Sequence, residues 1–351
     1  MESASDTLSG MVFAYAYSTL TGRYPLRTNL ALNRQLAYAS SIGQLLVPST
    51  STERRSLNTR VSSGEVVMPY PGAYAETASF ERLNARMKAR AVIKAIHRIH
   101  PNWVFCLYSA ALIHGLQVSE SLLDVTHIAI APNTNWRKTS GCIQSHTLHD
   151  SSITSSDNVP CIDLLATLLD CLCASSFRHG LAIVDSALHY QLTTKEGLEQ
   201  YFLKHGRRRH GIGQARRTLA YADGACENGG ESIVRAIIIE LGFAVPEMQV
   251  EIEDPLQPGH FKRVDFFWEL PGGSTIIGEL DGLEKYLGRG NPYAQFNEGN
   301  VVSAVQAMRR ERIRESRLNL TGARVLRFSY ADALDTVEFF KLLSTAGVPL
   351  Q

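Results

Sequence analysis

Charged side chains whose types suit phosphate chemistry are concentrated between residues 264 and 286. The carboxylates of interest are Asp265, Glu279 and Asp281, and Lys285 follows them. If the residues around Glu279 form a strand, Asp281 shares its face, while Asp265 comes from the preceding apolar run. Carboxylates on one patch repel each other, and a hard divalent cation relieves this because it prefers carboxylate oxygen and keeps several waters. These residues therefore predict metal-assisted phosphodiester hydrolysis, which also needs a nearby cation.

The elements that would position these side chains form a predicted β-hairpin. Residues 261–268 and 274–281 are rich in β-branched and aromatic types, and a Pro-Gly-Gly turn separates them. A hairpin centred on Gly272 places Asp265 opposite Glu279, with their Cβ atoms roughly 5 Å apart. A cross-strand pair of carboxylates follows from the turn alone.

Length and composition indicate a folded protein of several parts. The chain has 351 residues, too many for one ordinary core, and its apolar content of 44% is typical of a folded chain. A formal net charge of +1 gives no global attraction to nucleic acid or membrane, so local patches must supply any such binding. We predict an α/β multidomain protein with an N-terminal arm (1–28), a winged-helix-like DNA-binding domain (29–80), a middle domain (81–205), a basic linker (206–220) and a C-terminal domain (221–351).

The cysteines and the apolar runs favour a cytoplasmic protein. Six cysteines contain no CxxC pair, which favours free thiols in a reducing compartment over zinc ligands or disulfides. The apolar run 11–17 is shorter than a membrane span and lacks a basic flank. We expect no signal peptide, no transmembrane helix and no membrane partner.

The N-terminal pattern predicts a winged helix-turn-helix. Apolar spacing predicts helices around 30–37, 42–46 and 51–61, and two short strands follow within 65–74. In that motif the third helix enters the major groove of DNA. A helical cap with a solvated basic face is the alternative. The nucleic-acid contacts expected on this helix are Arg54, Arg55 and Arg60.

The middle region predicts mixed helices and strands, with a polar loop over 150–158. His146 and His149 would lie on opposite faces of a strand, so a shared metal is not expected there. The densest basic cluster follows, at 204–210. A glycine-punctuated linker and a surface that tracks a nucleic-acid backbone are both consistent with it. The arginines concerned are Arg207, Arg208 and Arg209.

The C-terminal order is helix, three strands, helix and strand, with the strand 324–328 expected to lie parallel within the sheet. Glu231 lies on the first helix, Asp265 on the second strand and Glu279 on the third. This αβββαβ order resembles the PD-(D/E)XK, or restriction-endonuclease-like, fold. More narrowly, the chain resembles a very-short-patch-repair-like domain of unknown function, found in many actinobacterial proteins behind an AbiEi-type antitoxin region. The matching residues are Gln249, Arg263-Val-Asp265, Gly278-Glu-Leu-Asp-Gly282, Lys285-Tyr286, Glu311, Arg314-Glu315 and 322–327, with Pro71-Gly-Ala-Tyr74, 109–116, Val159-Pro160 and 168–170 in the AbiEi-like front part.

The resemblance implies a metal site. Asp265 and Glu279 would ligate Mg²⁺ or Mn²⁺, with Glu231 beside them. The usual pattern has lysine two positions after the glutamate, where this chain has Asp281. Lys285 would then supply the missing cation, and Asp281 would be an additional ligand. The alternative is a structural network in which Lys285, Arg263 and Arg314 neutralise the carboxylates.

Two classes of function stay open. The first is a DNA-binding protein with a metal-dependent endonuclease-like domain, in which Arg314 contacts the scissile backbone; an RNA-processing nuclease would use the same site. The second is a non-catalytic transcriptional regulator or antitoxin of a toxin–antitoxin or phage-defence system, with a cognate toxin or other protein as partner. The acidic residue at position 281 favours the second class.

Overall fold

We analysed a computed structural model of the protein, which describes residues 29–132, 141–147, 152–281, 309 and 313–351. The chain divides into two compact units, Met1–Glu81 and Arg82–Gln351. Both contain helices and sheet, so the protein is mixed α/β. Among the described residues, no helix is long and apolar enough to cross a membrane.

The first unit is a small helical layer on a two-stranded sheet. The Asn29 side chain caps the first helix by accepting the Leu32 amide at 3.1 Å. Thr50 and Glu53 form a capping box at the start of the second helix. Leu36 and Leu57 lie in the small core. The elements are α1 (Leu30–Ser41), α2 (Ser51–Ser62), β1 (Val66–Tyr70), β2 (Ala73–Glu76) and α3 (Thr77–Glu81).

The helix predicted around 42–46 is absent, and this prediction was wrong. Gly43 has a φ of +62°, which ends α1 in a turn. Leu46 then exchanges backbone hydrogen bonds with Tyr74 at 2.7 and 2.8 Å. Leu45 and Leu46 are buried beside this extended bridge, whereas Ile42 is exposed, which helical spacing over so short a run could not reveal.

The second unit begins with a five-stranded sheet of order β5-β4-β3-β7-β6, surrounded by helices. The polar stretch 150–158, predicted as a loop, contains a strand that pairs antiparallel with its neighbour. Its residues are largely exposed, so it carries no apolar alternation to reveal it. The elements are α4 (Ala85–Ile99), β3 (Val104–Phe105), α5 (Leu107–Ile113), β4 (Thr126–Ile130), β5 (Ile143–Thr147), β6 (Ile153–Ser156), β7 (Val159–Ile162), α6 (Leu164–Ala174), α7 (Phe177–His189), α8 (Lys195–His205) and α9 (Ile212–Ala220).

Much of the segment 206–220, predicted as a basic linker, is the helix α9. Ala215 and Leu219 are buried, and α9 packs against α6 and α7. Arg216 and Arg217 occupy its exposed face. The basic residues lie on the solvent side of a packed helix. The apolar face of this helix has only a few residues, so the sequence did not indicate the helix.

The rest of this unit is a four-stranded sheet of order β11-β10-β9-β8. The predicted hairpin register is confirmed, since Gly278 pairs with Phe266 and Thr275 with Glu269. The last strand lies parallel to β10, also as predicted. One face of the sheet packs on helices, and residues 313–319, which are helical, cover the other through Leu318. The elements are α10 (Gly229–Glu240), β8 (Glu247–Glu253), β9 (Phe261–Glu269), β10 (Thr275–Asp281), β11 (Arg324–Ser329), α11 (Tyr330–Leu334) and α12 (Thr336–Ala346).

A buried charged group joins α10 to α7. The Asp185 carboxylate is fully buried and accepts the Asp223 amide at 2.8 Å, and the Arg235 guanidinium lies 3.9 Å from it. Arg235 donates to the Tyr221 carbonyl at 2.7 Å. Burial raises the pKa of Asp185 to about 7, because removal from water disfavours the charged carboxylate.

This burial predicts a stability that depends on pH. The folded chain holds a proton on Asp185 that the unfolded chain releases above its ordinary pKa near 3.8, so the free energy of unfolding should fall as pH rises from about 4 through 7. Asp185→Asn should flatten this fall by an amount on the order of a few kcal/mol. Urea unfolding at several pH values measures it, with the exposed Asp124→Asn as the matched control. An unchanged slope in Asp185→Asn would contradict the assignment.

Candidate functional site

Three carboxylates from three elements form what we call the carboxylate cluster: Glu231, Asp265 and Glu279. Glu231 lies in the first turn of α10, which the Asn228 side chain caps by accepting the amides of Gly230 and Glu231 at 2.9 and 3.1 Å. Asp265 and Glu279 lie on β9 and β10. Glu231 and Glu279 are both buried. Two of the residues that the sequence analysis proposed, Glu231 and Asp265, share a hydrogen-bond partner, and Glu279 lies on the strand next to Asp265.

Gln249 links two members of the cluster. Its side-chain nitrogen donates to Glu231 Oε2 at 3.0 Å and to Asp265 Oδ1 at 3.2 Å. The pairing of β8 with β9 on either side places Gln249 opposite Asp265. Its φ of +57° lies in the left-handed region, which residues other than glycine seldom adopt. An irregular strand residue thus positions two acids relative to each other.

Asp265 is fixed at the point where β9 and β10 separate. The regular ladder between these strands reaches Gly278 and Phe266. Beyond it, Asp265 Oδ2 accepts the backbone amide of Leu280 at 2.8 Å. A side chain therefore takes the place of a strand hydrogen bond, which holds the carboxylate at the end of the hairpin, beside Glu279.

Glu231 has an altered acidity. Its oxygens accept the Glu227 amide at 2.8 Å and a bond from the Asn228 side chain. Burial, and then repulsion from the nearby Asp265 carboxylate, raise the pKa of Glu231 to about 7. The surroundings of Glu231 therefore disfavour its charged form relative to water.

Arg314 neutralises part of the cluster. Its guanidinium donates to Glu279 Oε1 at 3.0 Å and to the carbonyl of Arg263 at 2.5 Å. The Arg263 side chain pairs with Glu227 and contacts neither predicted metal ligand. Of the two arginines proposed as caps for the carboxylates, Arg314 has that role and Arg263 does not.

Asp281 is paired with a residue to which the sequence analysis gave no role. Arg327 pairs with Asp281 through its guanidinium, with Nε 3.1 Å from Oδ1. The parallel register places Arg327 directly beside Glu279 on the neighbouring strand. Once the crossover to β11 is assumed, this register could have identified Arg327 from the sequence. Asp281 thus forms an ion pair at this site.

The oxygens of Asp265 and Glu279 are of the type that hard divalent ions prefer, and in the described structure both Asp265 oxygens and Glu279 Oε1 accept hydrogen bonds. Across the described ranges, no group of three or more His, Cys, Asp or Glu side chains is arranged to hold a metal. Asp265 and Glu279 still offer oxygen donors from adjacent strands, and Mg²⁺ is often bound by one or two carboxylates with waters and substrate phosphates. A cation there would offset the repulsion from Asp265, which adds to burial in raising the pKa of Glu231.

The remaining predicted residues lie on other elements or outside the described residues. Arg54 and Arg55 are exposed on α2. The Arg60 guanidinium donates to the Glu65 carboxylate at 3.0 Å, so part of its charge is already neutralised. Lys285 lies outside the described residues, as do His149 and Glu311. The basic residues Arg207, Arg208 and Arg209 lie in the turn between α8 and α9.

Comparison with known proteins identifies similar proteins, but their names state no activity. No protein-family model matches the chain. Proteins similar to it include uncharacterized protein MT2308 of Mycobacterium tuberculosis strain CDC 1551 / Oshkosh and uncharacterized protein Rv2248 of strain ATCC 25618 / H37Rv. Each is 27% identical over 235 residues, which cover 67% of this chain and 80% of the relative. What this chain does must therefore be inferred from its own residues.

Proposed function

We propose that the C-terminal region, residues 221–351, is a restriction-endonuclease-like domain that hydrolyses phosphodiester bonds of nucleic acid with the help of Mg²⁺ or Mn²⁺. The observation that carries the proposal is that Gln249 joins Glu231 to Asp265, while the register of β9 and β10 brings Glu279 to the same end of the hairpin. The carboxylates come from elements far apart in sequence, yet one amide hydrogen-bonds two of them.

The carboxylates of the cluster and their hydrogen-bond partners each have a part in this chemistry. A metal ion held by Asp265 and Glu279 would supply a hydroxide near neutral pH by lowering the pKa of its water. The Leu280 amide orients Asp265, and Gln249 holds Glu231 beside it. With a pKa of about 7, Glu231 can hold or release a proton at its carboxyl oxygen near neutral pH.

A cation for the substrate phosphate is also needed, because Asp281 stands where the usual pattern has lysine. Arg314 is the described cation in contact with the cluster, and its planar guanidinium suits phosphate oxygens. In this proposal Arg314 exchanges Glu279 for a phosphate when nucleic acid binds. Lys285 stays a second candidate for the same task.

The N-terminal region would bring the enzyme to DNA. We propose that residues 29–80 form a winged helix whose α2 faces the duplex. Arg54 and Arg55 are exposed on that helix, and β1 and β2 form the hairpin expected of a wing. Contacts of this kind to phosphates weaken steeply with salt, because binding releases condensed counterions.

We place the protein in the cytoplasm as part of the same proposal. All six cysteines are free thiols, and burial raises the pKa values of Cys106, Cys161 and Cys171. Such unpaired thiols are usual in a reducing compartment. In the cytoplasm the protein would encounter its DNA or RNA substrate.

The test combines metal binding with cleavage. Calorimetry should detect Mg²⁺ or Mn²⁺ binding to the full chain. Supercoiled plasmid, single-stranded DNA and single-stranded RNA should be cut with these ions and left intact with EDTA. The substrate that is cut separates a DNA nuclease from an RNA-processing one. Cleavage that persists fully in EDTA would contradict the proposal.

A second candidate is a regulator or antitoxin that binds nucleic acid without cutting it. It is favoured by the ion pairs Arg314–Glu279 and Arg327–Asp281, which neutralise two carboxylates without a metal. In that case calorimetry would show no metal binding, and no substrate would be cut. Mobility shifts on the promoter of its own operon would persist in Asp265→Ala, and a cognate toxin would be its protein partner.

A further inference from the structure

A separate cavity of about 550 Å³ lies in the middle region of the chain, among α6, β4, β5 and the turn between α8 and α9. None of its lining residues belongs to the carboxylate cluster. Buried Cys106 and Ile162 lie on its inner wall with Leu107. Arg208 and His210 line the exposed side. The cavity is therefore apolar inside and basic at its opening.

The basic side is built on a constrained turn, residues 206–211. Gly211 has a φ of +79°, and a Cβ at this position would overlap the carbonyl of Cys173 at the end of α6. Arg209 pairs with Asp170 of α6 at 2.6 Å. The turn is thus fixed against α6 by close backbone packing and by an ion pair.

Two residues of the cavity have an unusual backbone. Arg208 has a φ of +62° and Leu107 a φ of +49°, in a region that costs free energy for side chains of this kind. Such residues cluster at ligand sites, where the surrounding structure maintains them. No hydrogen bond or ion pair joins the side chains of Arg208 and His210 to another described residue. Their donors can therefore meet a ligand.

The opposite side is held by a histidine pair. His146 lines the cavity, and its Nε2 lies 2.9 Å from Nδ1 of His127. The His127 amide donates to Ser109 at 2.8 Å. Burial, and then His146, lower the pKa of His127 to about 4, so that ring is neutral near pH 7. The carboxylate that lines the cavity, Asp170, is engaged by Arg209, which leaves the opening positive.

We propose that this cavity binds a phosphate monoester of a small organic molecule. The phosphate would lie at Arg208, Arg209 and His210, where guanidinium groups provide charge-assisted hydrogen bonds. The organic group would pack against Cys106, Leu107 and Ile162. A volume of about 550 Å³ falls within the range of small-molecule sites. The site is independent of the proposed nuclease function.

Calorimetry on the full chain tests the proposal with AMP, glucose 6-phosphate, inorganic phosphate and adenosine as probes. At least one of the two monoesters should bind more tightly than inorganic phosphate, and adenosine should bind weakly, because both halves of the site are needed. Arg208→Glu should weaken monoester binding by about tenfold or more. Arg207→Glu is the matched control, since Arg207 is exposed in the same turn but does not line the cavity.

Four results would each overturn the proposal. They are no binding of either monoester, equal binding of inorganic phosphate and the monoesters, adenosine binding as tightly as AMP, and an equal loss in Arg207→Glu and Arg208→Glu. Asp265→Ala should bind the monoesters as the wild type does. Failure of the nuclease assignment is therefore distinguishable from failure of this one.

Discussion

If the proposed nuclease function is correct, replacing Asp265 with alanine should reduce metal-dependent phosphodiester cleavage by about a thousandfold or more, because it removes a proposed metal ligand and the acceptor of the Leu280 amide. Glu279→Ala should have an effect of similar size. Both variants should also lose the heat of Mg²⁺ or Mn²⁺ binding. Initial rates of plasmid nicking at saturating metal measure the effect.

The controls separate a catalytic role from a structural one. Asp265→Asn keeps an oxygen that can accept the Leu280 amide but loses the charge, so it should fold and still be inactive. Glu251→Ala removes an exposed carboxylate from β8 and should cut at the wild-type rate. Cleavage that survives in both Asp265→Ala and Glu279→Ala would eliminate the carboxylate cluster as the active site.

Replacing Phe266 with alanine should lower the free energy of unfolding by about 3–5 kcal/mol, the usual cost of emptying a buried aromatic site. Its ring is fully buried, with centroids 6.4 Å from Trp268 and 5.7 Å from Phe328. It also packs over Gly278, where a Cβ would lie 3.1 Å from that of Phe266. The side chain therefore supports the hairpin beside Asp265.

Urea unfolding measures this loss, and the same strand offers a control. Phe261 is 59% exposed, so Phe261→Ala should change stability by well under 1 kcal/mol. Equal effects of the two substitutions would show that β9 is not packed as described. Phe266→Ala should also weaken metal binding, because the cavity it leaves lies beside Asp265, the adjacent residue on β9. Metal binding is measured at low temperature, where the destabilised variant stays folded.

The hairpin was predictable because its information is local. Glycine at the turn and β-branched residues on both sides determine which residues face each other, and the strands pair in the predicted register as far as Gly278 and Phe266. Short segments were less predictable. Residues 42–46 have apolar spacing compatible with a helix, but Leu46 is buried in an extended bridge to Tyr74. The extended form there depends on a strand that is distant in sequence.

By itself the sequence determined the αβββαβ order, the hairpin register and the carboxylates Asp265 and Glu279, since turn chemistry and side-chain alternation act between near neighbours. Only the tertiary structure decided which partners those carboxylates meet. Gln249 reaches Glu231 and Asp265, Arg314 reaches Glu279, and Arg327 reaches Asp281. These partners lie between 16 and 46 residues apart along the chain. At such separations sheet order and helix packing determine proximity, and with it the charge balance around these carboxylates.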